Sequence, residues 1–165
     1  MKTYNFSFSG SLLNRGYWLY VWEISCAGKN YFYIGRTGDS SSPNAASPFS
    51  RISSHLNNSD NAKGNSLYRA LTKEGLDPSN CTFHFSAFGP IYSEMQKRNM
   101  ENHTPFRDKM AAFEFALYSA FINKNVAVLG KHGSRHRMSR EDRGYFEKIL
   151  TWVKQEFSLD LQEER

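Results

Sequence analysis

Glu114 lies in a stretch, Met110-Ala111-Ala112-Phe113-Glu114-Phe115-Ala116-Leu117-Tyr118, that otherwise reads as the apolar side of a helix. Its helical neighbours at i±3 and i±4 are Met110, Ala111, Leu117 and Tyr118, so no Lys or Arg of the same helix can pair with it. A carboxylate withdrawn from water is costly unless it is paired or holds a cation. The chemistry on offer is therefore metal binding; the ordinary alternative is a solvent edge or an arginine distant in sequence. Arg51 and His55 stand four apart in a short helical stretch and share a face. A guanidinium can grip a phosphate with two parallel hydrogen bonds and keeps its charge at any working pH. A solvated helix face is the plainer reading of that pair. Tyr20 and Tyr33 occupy two neighbouring strand-like runs, where their hydroxyls converge if the runs form a hairpin. Aromatic residues in hairpins more often serve packing.

The two tyrosine-bearing runs, Tyr17–Ile24 and Tyr31–Gly35, are rich in aromatic and β-branched residues, and residues 25–30 suit a tight connection, so a β-hairpin is expected. Tyr4, Phe6 and Phe8 alternate with polar residues, the period of a half-buried strand. Residues 36–47 read as a loop. Ser47-Pro48 reads as an N-cap with proline at the first helical position of a helix over 48–56. A polar linker over 57–65 precedes a second helix at 66–74, stopped by Gly75 and Pro78. A strand follows at 81–88, and residues 91–104 carry no clear pattern. Helical spacing of Phe106, Met110, Phe113, Leu117, Tyr118 and Phe121 marks the strongest helix, 105–123. Residues 131–140 form a basic loop. Ser139-Arg140-Glu141-Asp142 resembles a capping box with Asp for the usual Glu, ahead of a last helix whose apolar face is Phe146, Ile149, Leu150, Val153 and Phe157. The order predicts an α+β fold: a small, mainly antiparallel three-stranded sheet flanked by helices, with an extra N-terminal strand and a C-terminal helix. With no repeat and no linker, residues 1–165 read as one domain, its core at 17–126 and a basic loop plus amphipathic helix at 127–165.

The run Trp18-Leu19-Tyr20-Val21-Trp22-Glu23-Ile24, followed by Phe32-Tyr33-Ile34-Gly35-Arg36-Thr37-Gly38, resembles the paired strands of the GIY-YIG nucleases. Arg51-Ile52-Ser53-Ser54-His55 resembles that family's R-x-x-x-H helix, and Glu114 falls where the family keeps a metal-binding glutamate. Two departures stand out: Trp18 and Leu19 replace the glycine and isoleucine of GIY, and the loop between Gly35 and Arg51 is longer than the family leads one to expect. The resemblance implies a metal-dependent endonuclease. In it Glu114 holds one Mg²⁺ or Mn²⁺, Arg51 clamps the scissile phosphate, and Tyr20 orients or deprotonates the attacking water with Tyr33 nearby. His55 either accepts the tyrosine's proton or contacts phosphate. Asn125, or Asn123 in its place, positions substrate or a residue of the site. A phenol, with a reference pKa near 10, serves as a base only if neighbouring positive charge favours its anion.

Composition sets the frame. The chain of 165 residues is 39% hydrophobic, and 13 Phe and 9 Tyr supply much of its core. A net charge of +5 favours a polyanionic partner, since each phosphate neutralised releases counterions. Arg36, Lys131, Arg135 and Arg137 are the expected backbone contacts, with Lys29 and Lys124 extending the surface. No apolar run approaches the roughly 18 residues of a membrane span, and residues 1–5 have no apolar signal region, so the expectation is a cytoplasmic protein with no membrane partner. Cys26 and Cys81 are expected to be buried free thiols. Duplex DNA is the expected substrate of a compact restriction or defence nuclease, and cutting both strands calls for a homodimer. The rival readings are a binding module on the same fold and an RNA-directed nuclease. A small-molecule enzyme finds no support, for want of a Gly-rich phosphate loop or a Cys/His cluster.

Overall fold

A two-residue turn starts the sheet. Cys26 pairs with Lys29, and the intervening Ala27 and Gly28 have φ of 49° and 75°. Positive φ at both central residues is the type I′ pattern, whose twist matches that of the flanking strands. In this computed structural model, which describes residues 2–39, 42–94, 99–134 and 136–162, the turn joins β1 (Gly16–Cys26) to β2 (Lys29–Arg36). The other elements are α1 (Pro48–His55), α2 (Ser66–Lys73), β3 (Thr82–Ser93), α3 (Met100–Asn123) and α4 (Arg143–Phe157). The three strands form an antiparallel sheet in the order β2-β1-β3. The α+β class with a small antiparallel sheet is therefore as expected.

Central β1 reads as a nearly unbroken apolar run because both its faces are covered. Tyr17, Leu19 and Val21 join Phe32 and Ile34 of β2 against Met110, Phe113, Leu117 and Phe121 of α3 and Phe146, Ile149 and Val153 of α4. Tyr20, Trp22 and Ile24 point the other way, with Tyr33, toward Leu67 and Leu71 of α2. This is the two-residue alternation of a strand, with each set finding its own helical layer. Tyr20 and Tyr33 share a face for that reason alone.

Local signals set most helix ends. Ser47 Oγ accepts from the Ser50 amide at 3.2 Å, and Pro48 opens α1. Ser139 Oγ accepts from the Asp142 amide while Asp142 Oδ2 accepts from the Ser139 amide, both at 3.2 Å. The Asp variant of the capping box thus closes reciprocally, one turn before α4 proper. Lys109 Nζ, 3.1 Å from Asp142, ties that cap to α3. α3 begins at Met100 rather than 105, because the Asn99 side chain caps it by accepting from the Asn102 amide at 2.9 Å. Pro105 therefore lies inside the helix, not at its start.

The expected N-terminal strand is absent. Tyr4 and Phe6 are 85% and 69% exposed, and residues 2–9 join no ladder. Instead Phe8 stacks on Phe49 of α1 with ring centroids 4.6 Å apart, and Ser9 caps a short 3₁₀ turn at Gly10–Leu13. Alternation marks an extended chain with one face to pack; here that face meets rings, not a sheet edge. Both cysteines are free, Cys26 buried and Cys81 half-buried. Burial first, then the neighbouring Cys26 thiol, pushes the Cys81 thiol up. No helix among the described residues is long and apolar enough to cross a membrane.

Candidate active site

The register of the hairpin places Tyr20 opposite Gly35 and Trp22 opposite Tyr33. The two tyrosines are thus diagonal neighbours on the α1/α2 side of the sheet. Gly35 is required there by space: a Cβ on it would lie 2.4 to 2.5 Å from Cε2, Cζ and the hydroxyl of Tyr20. The ring of Tyr20 lies across the glycine, which brings the phenol to α1.

His55, at the end of α1, receives it. Tyr20 OH is 2.6 Å from His55 Nε2, and His55 Nδ1 is 2.9 Å from Ser66 Oγ at the first position of α2. Ser66 Oγ is in turn 2.8 Å from Tyr33 OH. Four side chains from four elements form one unbroken line of hydrogen bonds. Burial pushes Tyr20 well above the ordinary phenol range, with Arg51's positive charge the main opposing influence. Tyr33 is also raised by burial, although its bond to Ser66 opposes this. The charge of Arg51 therefore favours a phenolate but does not outweigh burial, and Tyr20 is a neutral phenol.

A second group assembles across the site. Arg36 Nε donates to Glu114 Oε2 at 3.0 Å, and His132 Nδ1 lies 3.6 Å from Oε1. His132 is carried there by the segment after α3. The Phe32 amide donates to the Ala127 carbonyl at 2.8 Å and the Leu129 amide to the Phe32 carbonyl at 2.7 Å, laying that segment along β2. Burial raises Glu114, while Arg36 and then Arg51 pull it back. Arg51 joins the two groups: its charge acts on Tyr20, Tyr33, His55 and Glu114, and it pairs with Asp39 in the long loop. Among the described residues, two buried nitrogens at this centre, Arg51 Nε and His132 Nε2, find no hydrogen-bond partner. Beside it opens a cleft of about 320 Å³ lined by Arg36, Asp39, Arg107, Asp108, Ser134 and His136, among others.

Of the residues singled out from sequence, Tyr20, Tyr33, Arg51, His55 and Glu114 come together. Arg36 does too, in a role other than the expected phosphate contact: it is the counter-charge of Glu114, because a largely buried carboxylate needs one and α3 supplies none. Asn125 is spent elsewhere. It takes φ 57° beyond the end of α3, its amide donating to the Ile122 carbonyl and that of Val126 to the Phe121 carbonyl. That is a helix-ending motif in which Asn substitutes for glycine, on the surface and roughly 15 Å along the helix from Glu114. Asn123, the last residue of α3, is exposed as well. Lys131 and Arg137 are exposed, and Arg135 lies outside the described residues. Sequence reasoning missed Ser66 and His132. Ser66 carried only the signal of a helix start, and His132 that of a basic loop.

Among the described residues no group of three or more His, Cys, Asp or Glu is arranged to hold a metal. A hard divalent cation does not demand one, since one carboxylate, waters and a substrate phosphate can complete its shell. Glu114 Oε1, with the neutral His132 imidazole 3.6 Å away as its partner among the described residues, fits that sparse mode.

His55 and His132 are both lowered from 6.5 to about 4, in each case first by burial and then by an arginine, Arg51 and Arg36 respectively. As pH falls through 6.5 the unfolded chain binds protons that the folded protein refuses, so stability is lost from there down to about pH 4. Between pH 7 and pH 5 the expected loss is about 2 kcal/mol per imidazole. Urea titration reads it as a fall in unfolding free energy, and His132→Gln should halve the fall. A flat profile would contradict neutral burial of both rings. No family model, no curated protein and no solved structure matches this chain.

Proposed function

We propose that the chain is a GIY-YIG-type endonuclease that hydrolyses phosphodiester bonds of nucleic acid, duplex DNA foremost, with Mg²⁺ or Mn²⁺. The observation that carries this reading is the convergence of two tyrosines, a histidine, an arginine and a glutamate from β1, β2, α1 and α3 on one largely buried centre. Hydrolysis needs an activated water, charge stabilisation of a more negative pentavalent phosphate, and help for the leaving oxygen.

Each requirement has a group. Arg51, with its buried Nε unpartnered, supplies an N–H and a permanent positive charge for a non-bridging phosphate oxygen. Tyr20 takes a proton from the attacking water, and His55, neutral at working pH, accepts the phenol's own proton at Nε2. Of the two roles open to His55 in the sequence, the 2.6 Å bond to Tyr20 favours this one. Glu114 is the ligand for the cation, which supplies Lewis-acid stabilisation of the phosphate and leaving oxygen when bound. Arg36 holds the Glu114 carboxylate in place through Oε2 and leaves Oε1 for that duty. The charged cleft beside Arg36 is the approach for the backbone, and the net charge of +5 favours its capture.

The test is a nicking assay on supercoiled plasmid, with parallel arms of single-stranded DNA and structured RNA, in Mg²⁺, in Mn²⁺ and in EDTA. Metal-dependent cleavage of duplex DNA is the expected result. Binding without cleavage of any arm would leave the fold as a binding module; cleavage of RNA alone would move the substrate. Double-strand cutting at one site further calls for two copies of the chain, read by sedimentation on DNA.

A further inference from the structure

We propose that Ser66 is a proton-relay residue that couples Tyr20, through His55, to Tyr33, so that the proton taken from the attacking water re-emerges at the Tyr33 hydroxyl. The inference rests on the hydrolytic reading above. Its geometry is the line Tyr20–His55–Ser66–Tyr33, with contacts of 2.6, 2.9 and 2.8 Å. Every member is neutral and every link joins a group that can donate to one that can accept. A serine hydroxyl does both at once, and both nitrogens of His55 are engaged.

The hydroxyl of Ser66 is not used by its own helix. Residues at helix N-termini usually turn their side-chain oxygens onto free amides of the first turn. At α2 the N-cap residue Asn65 makes no side-chain cap, and the hydrogen bonds of Ser66 Oγ run to His55 and Tyr33 instead. A residue serving only to start α2 would not need that orientation.

The proton count closes. The water O–H proton passes to the Tyr20 oxygen as the Tyr20 proton passes to His55 Nε2. The Nδ1 proton moves to Ser66 Oγ, the Ser66 proton to the Tyr33 oxygen, and the Tyr33 proton to the departing oxygen, directly or through one water. The hydroxide so formed bonds to phosphorus while the bond from phosphorus to the leaving oxygen breaks. All four side chains end neutral, with His55 in its other tautomer and each hydroxyl proton replaced. Return of the line to its starting orientation readies it for another turnover. No residue of the line has to hold a charge in a buried place, where a charge is costly.

The experiment compares the wild-type chain with Ser66→Ala and Ser66→Thr in single-turnover plasmid cleavage, run in mixtures of H₂O and D₂O. Circular dichroism and thermal melting confirm that each variant is folded. Ser66→Ala is expected to lower the cleavage rate about 100-fold, the lower end of the range for lost acid–base assistance, with DNA affinity unchanged. Ser66→Thr, which keeps the hydroxyl, should recover the rate to within a few fold. The curved dependence of rate on deuterium fraction expected for several moving protons should become linear in Ser66→Ala. Nitrogen-15 spectra of His55, which report its tautomer without any cleavage, should change in Ser66→Ala and not in Ser66→Thr. Wild-type rates and an unchanged isotope dependence in a folded Ser66→Ala overturn the relay alone, as does equal impairment of the Ala and Thr variants. A wild-type chain that cuts no nucleic acid overturns the hydrolytic reading, and the relay falls with it.

Discussion

Glu114→Ala is expected to lower metal-dependent cleavage by at least about 10³-fold, equivalent to about 4 kcal/mol of transition-state stabilisation, with nucleic-acid binding changed only a few fold. Asp39 at this centre is paired with the full charge of Arg51, while Glu114 uses Oε2 on Arg36 and turns Oε1 to a neutral imidazole 3.6 Å away, a contact a cation can replace. Its loss removes the ligand for the cation and leaves Arg36 with a buried charge and no counter-charge. Removing one partner of a buried pair costs about 3–5 kcal/mol, and this pair, at the edge of burial, should cost less. The melting temperature should therefore drop as well. Glu114→Gln separates the two effects. Its amide oxygen can still accept from Arg36 Nε, so the fold should be nearly as stable as wild type while the activity is as low as in the alanine variant. Cleavage at the wild-type rate in either variant would end the role assigned to Glu114.

Gly35→Ala is the second large effect, and it acts through space rather than charge. The added methyl would lie within 2.5 Å of three atoms of the Tyr20 ring. That ring cannot retreat: it is 2% exposed, with Phe85 at 5.5 Å on one side and His55 at 5.6 Å on another. Overpacking of a filled core costs about 1–3 kcal/mol. The larger consequence is for chemistry, since moving the phenol by about 1 Å breaks the bond to His55 and can cost on the order of 10²-fold in rate. Unfolding titrations and single-turnover cleavage measure the two separately. In a Tyr20→Ala background the stability cost of Gly35→Ala should largely vanish, because the methyl then meets open space. A full cost in that background would show that the strain lies in the backbone and not against Tyr20.

Much of the frame was legible because its signals are local. The hairpin follows from two aromatic, β-branched runs, and Ser47-Pro48 and the Ser139–Asp142 box set helix starts within one turn. Glu114 was conspicuous because nothing four residues away could neutralise it. The failures are also of one kind. Tyr4, Phe6 and Phe8 alternate as a strand does, yet no pattern within them says whether a sheet edge is free to receive them. Asn125 was marked by the resemblance alone; its short polar side chain tolerates the left-handed backbone that ends α3, a local demand that sets its place at the surface.

The amino-acid sequence determined the hairpin and the helices that cover it and marked Tyr20, Tyr33, Arg51, His55 and Glu114, since periodicity and capping depend on neighbours a few residues apart. Tertiary structure alone decided who meets whom: Arg36 with Glu114 across 78 positions, Tyr20 with His55 across 35, and Ser66 between His55 and Tyr33. Such partnerships arise because a buried charge or hydroxyl must find a complement when water leaves. That complement can come from any element packed against the same face, wherever it lies along the chain.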